Sequence, residues 1–119
     1  MDERQLNFAV GLYFILAIGY NLASLALRDA KRPALAPTEP VQAIVMMSLL
    51  YLVYASGSVL GRSAWTALIA VFVLLIARFG IYRHVVGYGP TDYASRLSWA
   101  AAIAINTYGV CVLCLALVL

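Results

Sequence analysis

Ala77-Arg78-Phe79-Gly80-Ile81-Tyr82-Arg83-His84-Val85-Val86-Gly87-Tyr88-Gly89-Pro90-Thr91-Asp92-Tyr93-Ala94-Ser95-Arg96 separates two long uncharged runs, Ala64 to Ala77 and Leu97 to Leu119. The stretch contains three arginines, three tyrosines and the sole histidine of the chain. Arg78 is its sharpest feature, because it breaks a run that otherwise reads as membrane-spanning hydrocarbon. An arginine at a bilayer centre costs about 2.5–3.5 kcal/mol on insertion scales, and less where it snorkels to the interface. A helix from Ser63 to Arg78 rises about 22 Å, roughly three quarters of a ~30 Å hydrocarbon core. The arginine therefore falls near one membrane face, beside a tyrosine-rich loop, and any functional site is expected there.

Working outward, the rest of the chain agrees with a membrane reading. Its 119 residues are 65% hydrophobic and 11% charged, against about 25% charged in a soluble domain. Four apolar segments are predicted, at about 6–27, 41–60, 64–82 and 95–119. The fold class expected is all-α, an integral membrane four-helix bundle forming one domain with short loops. The net charge of +3 comes from basic residues scattered at span ends, so it marks topology and gives no reason to expect nucleic-acid binding. No cleaved signal peptide is expected, because Met1-Asp2-Glu3-Arg4 is a poor basic leader and the apolar run after it is long.

In the first span, Tyr13, Tyr20 and Ser24, with Asn21 beside them, share one stripe at helical spacing. That stripe is expected to face other helices, with Leu12, Leu16 and Ile18 toward lipid. Pro33 and Pro37 stop the helix in the first loop, where Thr38 is expected to cap the second span with Pro40 in its first turn. Met47, Tyr51, Tyr54 and Ser58 share a face of the second span. Gly57-Ser58-Val59-Leu60-Gly61 either packs helices closely, as small-x-x-x-small pairs do, or simply makes the turn. Gly61-Arg62-Ser63 is short enough to make spans two and three antiparallel neighbours, and Trp65 anchors the third at the interface. Thr91 or Asp92 is expected to cap the fourth span, in which Ala100 and Ala104 form another small pair. Asn106, Thr107 and Tyr108 place polar groups at membrane depth and are expected to bond to other helices.

Basic residues set the expected orientation. Arg28, Lys31, Arg32, Arg83 and Arg96, with Arg78 nearby, lie on loops one and three; Arg4 and Arg62 lie on the opposite side. The positive-inside rule then puts loops one and three in the cytoplasm and both termini on the non-cytoplasmic side.

The acids Asp2, Glu3, Asp29, Glu39 and Asp92 all fall in loops or tails, so a proton-coupled exporter lacks its intramembrane relay. No metal site is expected, since one histidine without a neighbouring carboxylate or thiol is not a ligand set; His84 reads as an interfacial residue. Cys111 and Cys114 form a C-x-x-C in the last span, which reads either as apolar packing or as a thiol/quinone redox pair. Arg78, Tyr82, Arg83, Tyr88, Tyr93 and Arg96 form the richer constellation. Forked guanidinium donors suit an anionic group, and a phenol can hydrogen-bond a thiolate. The same residues also suit snorkelling cations within an aromatic belt.

The segment from Ala77-Arg78 through Tyr82, Tyr88 and Arg96 into Leu97-Ser98-Trp99 resembles the third-to-fourth helix region of the MAPEG family, the membrane-associated proteins of eicosanoid and glutathione metabolism. The resemblance covers the C-terminal half. It implies a homotrimer of four-helix subunits that binds glutathione as co-substrate near the cytosolic face and transfers it to lipophilic electrophiles. On that resemblance Arg96 stabilises the thiolate as the catalytic residue, and Arg78, Tyr82 and Tyr88 bind the substrate. Glu39 to Ser48 carries no arginine or asparagine, where the family has both. A non-catalytic subunit of a larger membrane complex is therefore the second reading.

Overall fold

A computed structural model describes residues 1–119 and is 83% helical, without strands. Four long helices run up and down: α1 (Glu3–Asp29), α2 (Pro40–Ala55), α3 (Arg62–Gly87) and α4 (Arg96–Val118). Three of them, α1, α3 and α4, are long and apolar enough to cross a bilayer. The fourth, α2, has 16 residues and rises about 24 Å; a one-turn helix, Gly57–Leu60, follows it. The long axis of the molecule is 44 Å, matching a bilayer of about 40–45 Å with its headgroups.

Local chemistry sets the helix ends. Asp2 and Gln5 form a reciprocal capping box at the start of α1, each side chain bonding the other's backbone N–H at 2.8–2.9 Å. Glu39, rather than Thr38, caps α2: its carboxylate accepts from the Val41 N–H at 3.1 Å, with Pro40 at the first helical position. Glu39 is also held at 2.7 Å by Arg28 from the end of α1, so one side chain fixes both helix ends of the first loop. Ser95, rather than Thr91 or Asp92, caps α4 in a capping box with Ser98. The Asp92 carboxylate is already used, accepting from the Gly89 N–H at 2.9 Å.

The pair Gly57 and Gly61 makes the turn. Gly61 lies at φ +84°, a conformation costly for residues with a Cβ. Gly57 lies under Trp65, whose indole N–H donates to the Tyr54 carbonyl at 3.1 Å and latches α2 to α3. The other small pair, Ala100 and Ala104, points outward. The buried small residues of α4 are Ser98, Ala102, Gly109 and Ala116.

Val10, Tyr13, Phe14 and Ala17 of α1 meet Leu50 of α2, Ile69 of α3 and Leu113 of α4 in the core. The tyrosine stripe of α1 does face inward, with Tyr13 and Ser24 buried and Leu12 and Leu16 exposed. Of the expected face on α2, Met47 and Tyr54 pack inward, while Tyr51 is 50% exposed. In lipid, apolar burial gives little drive to associate, so packing and interhelical hydrogen bonds hold such bundles. Tyr108 donates to the Ala9 carbonyl at 2.7 Å and Asn106 to the Gly80 carbonyl at 3.1 Å, tying α4 to α1 and α3. Thr107 instead donates within its own helix, to Ile103. Every buried side-chain nitrogen and oxygen has a partner.

The second half of α3, Ile76–Gly87, is wound as a π-helix, which extends the helix beyond the predicted end near 82. Two of its carbonyls are drawn toward α4: Gly80 accepts from Asn106 and His84 from the Trp99 indole at 3.0 Å. Wide turns of this type are rare and concentrate at functional sites.

Candidate functional site

The π segment sets the geometry of the site. Its i→i+5 bonds put more than four residues in each turn, so Leu75, Phe79, His84 and Tyr88, spaced by four, five and four, share one face. They line an interhelical chamber of about 470 Å³ bounded by all four helices. α2 packs on α1 and on Arg62–Leu75, the first half of α3, and the chamber occupies the space beside the π-wound half. Met46, Met47, Phe72, Ile76 and Ile105 form its apolar part. Tyr20, Asn21, Gln42, Arg83 and His84 line the polar part, with Glu39 at the rim. Glu39, Gln42, Phe79 and Arg83 are exposed and mark the mouth, at the end of the bundle carrying loops one and three.

A set of hydrogen bonds ties the polar end together. The Tyr20 hydroxyl donates to the Ser98 carbonyl at 2.8 Å and lies 3.3 Å from the Leu35 carbonyl. Ser24 Oγ accepts from the Leu35 N–H at 3.1 Å, so α1 pins the first loop. His84 is buried within the bundle. Its Nδ1 bonds the Tyr93 hydroxyl, and its carbonyl receives Trp99. Burial pushes the Tyr93 phenol up to about 12, with further contributions from Tyr88 and Asp92. The phenol therefore remains protonated through the neutral range. Arg28 beside Glu39, joined by the Val41 N–H, holds that carboxyl below the usual range. The resulting stability is present above the unfolded carboxylate pKa and is lost as pH falls through the lowered folded value.

The structure divides the residues singled out in the sequence. Tyr88 lines the chamber, with the Arg83 guanidinium 5.3 Å above its ring. Arg78 and Tyr82 form a separate stacked pair, 5.0 Å from guanidinium to ring centroid, on the outward face of α3. Both are exposed, and they border a second, shallower depression of about 460 Å³ that also includes Arg83 and Val86. Arg96 occupies the first position of α4, exposed, and forms no ion pair; the single ion pair of the chain is Arg28–Glu39. Cys111 and Cys114 are free thiols exposed on the outer face of α4.

Sequence reading missed His84, Gln42 and Met46 as chamber residues. The signal available for His84 was the four-five-four spacing from Leu75 to Tyr88, which is hidden when the segment is read at α-helical period. Searches of family models, curated proteins and solved structures find no match to the chain.

Proposed function

We propose that this is a MAPEG-like integral membrane protein that holds a lipophilic molecule in the interhelical chamber and uses glutathione as co-substrate, as a transferase or peroxidase. The chamber carries the proposal: about 470 Å³, apolar on one side and polar at its mouth, within the usual 300–1,000 Å³ range of small-molecule sites. Glutathione would lie on the outward cationic and aromatic surface, bound by Arg78 and Tyr82, with Tyr88 at the chamber edge. Arg96 would stabilise the thiolate, whose sulfur would attack an electrophilic carbon of the lipophilic substrate as a leaving group departs with the electron pair of its bond, or a hydroperoxide oxygen as the O–O bond breaks and the alcohol is released, a second glutathione then giving the disulfide and water. The outward position of Arg78 and Tyr82 suits a site completed by a neighbouring copy, consistent with a homotrimer.

Binding and thiolate absorbance of glutathione, measured on the purified protein, test this directly. Wild type is expected to bind at millimolar concentration or below and to show the thiolate band. Arg96→Ala removes the band while leaving the oligomer intact, and Arg78→Ala weakens binding by about tenfold, the loss of one charge-assisted hydrogen bond. Absence of binding by wild type at millimolar concentration ends the glutathione reading.

A second reading has its own observation. Ala100, Ala104, Thr107 and Cys111 form an exposed line of small side chains along α4, suited to contact with another helix. A non-catalytic subunit of a larger membrane complex would use such a face.

With either reading we propose that loops one and three lie in the cytoplasm and both termini outside, on the distribution of basic residues. In a Cys111→Ser, Cys114→Ser background, an impermeant maleimide added to intact cells is expected to label Ser63→Cys and spare Lys31→Cys. The reverse pattern would overturn the orientation.

A further inference from the structure

Two charged side chains border the chamber, Glu39 and Arg83, and they are in different states. The carboxylate of Glu39 is spent: Arg28 donates to both of its oxygens at 2.7–2.8 Å, and the Val41 N–H adds a third bond. Arg83 faces no carboxylate. Tyr88 lies under its guanidinium at 5.3 Å, which orients the fork without supplying an anion. Several neutral groups of the polar end are already engaged, and those left free, such as the Gln42 amide, carry no charge. Tyr20 donates to Ser98, Asn21 to the Ala17 carbonyl at 2.8 Å, and the Trp99 indole to His84. His84 Nδ1 is engaged by Tyr93. The chamber therefore presents one uncompensated cation at its mouth, where Gln42 also lines it, and apolar side chains beyond.

Resting on the reading of the chamber as a ligand site, we infer that its ligand is a single-chain amphiphile with a compact anionic head. The head sits at Arg83, and the chain lies among Met46, Met47, Phe72, Ile76 and Ile105. A forked guanidinium matches a carboxylate or phosphate in geometry as well as charge. A cationic head would meet only Glu39, whose charge Arg28 already balances. Inside the chamber, Asn106 directs its amide to Gly80 and Ala102, so the apolar part offers a chain no competing donor. A volume of about 470 Å³ is toward the lower end of small-molecule sites and suits one chain rather than two.

Native mass spectrometry of the full-length protein released from neutral phosphatidylcholine nanodiscs tests the inference with four probes: dodecanoate, dodecyl phosphate, dodecanol and dodecylamine. The two anions are expected to bind one per chain, at least about tenfold tighter than the alcohol or the amine, as expected for a hydrogen-bonded charge. Their order relative to each other identifies the carboxylate or the phosphate as the better head. Arg83→Gln is expected to erase the anion preference while retaining the weak binding of dodecanol, and Arg83→Lys to keep part of it. Arg32→Gln, at an exposed cation of the first loop, is expected to keep all of it. Equal binding of dodecanol and the anions by wild type would overturn the inference, as would loss of preference in Arg32→Gln to the same degree as in Arg83→Gln. Binding of none of the four probes would instead end the reading of the chamber as a ligand site.

Discussion

Gly109→Ala is expected to destabilise the bundle by about 3 kcal/mol, at the upper end of the usual cost of overpacking, with a fall of roughly 10 °C in melting temperature. A Cβ at position 109 would lie 2.3 Å from Tyr13 Cε1 and 2.4 Å from its Cζ. The ring cannot move aside cheaply. Tyr13 is fully buried, its hydroxyl is 3.3 Å from Met47 sulfur and 3.4 Å from Asn106 Oδ1, and Phe14 packs beside it. Helices α1 and α4 would have to separate where Tyr13 lies against Gly109, weakening the bond from Tyr108 to Ala9 on the same interface. Thermal unfolding in detergent, followed by circular dichroism, measures the loss. Tyr13→Leu in the same chain is expected to recover much of it, because contacting sites couple by about 0.5–3 kcal/mol. Unchanged melting of Gly109→Ala would mean that α1 and α4 do not meet in this register.

Ala43→Trp is expected to lower the affinity for chamber ligands by about 100-fold while barely changing stability. Ala43 is half-buried and lines the chamber from the first turns of α2, near Gln42 and Met46. An indole there has room to enter the chamber, where it occupies the volume of an alkyl chain. The ligand loses its apolar contacts with Phe72 and Ile76, and small-molecule affinity depends on burying most of the ligand surface. Filling existing space creates no cavity, so one of the usual causes of severe destabilisation is absent. Dodecanoate binding and thermal melting, measured on the same preparation, separate the two effects. Undiminished binding in a well-folded Ala43→Trp protein would move the ligand out of the chamber.

Much of the architecture was legible in the chain because its determinants are local. Uncharged runs bounded by Arg28, Arg62 and Arg96 show where apolar helices begin or end, whereas Arg78 falls inside α3, and Gly61-Arg62-Ser63 leaves room only for a tight turn. The inward stripe of Tyr13, Tyr20 and Ser24 followed from helical period alone. The caps were less legible because several capable side chains compete in each loop. Thr38 loses to Glu39, which is anchored by Arg28, and Asp92 loses to Ser95 because its carboxylate already holds the Gly89 N–H.

The site was legible in composition and not in arrangement. Arg78 and Tyr82 are four apart and stack as a helix allows. Arg83 and Tyr88 are five apart, and the π winding that associates them coincides with carbonyls engaged from Asn106 and Trp99 on another helix. Those tertiary partners leave no mark in the local pattern of residues 76–87. The burial of His84 has the same origin, since Tyr93 of the third loop and Trp99 of α4 reach it.

Photo-crosslinking with a diazirine-tagged dodecanoate tests the central claim most directly, by asking where a bound amphiphile lies. Proteolysis and mass spectrometry of the labelled protein are expected to recover the tag on Met46, Met47, Phe72, Ile76 and Ile105, with excess dodecanoate suppressing it. Labels confined to Leu74, Tyr82 and Val86, exposed on α3, or labels that excess ligand does not suppress, would contradict a binding chamber within the bundle.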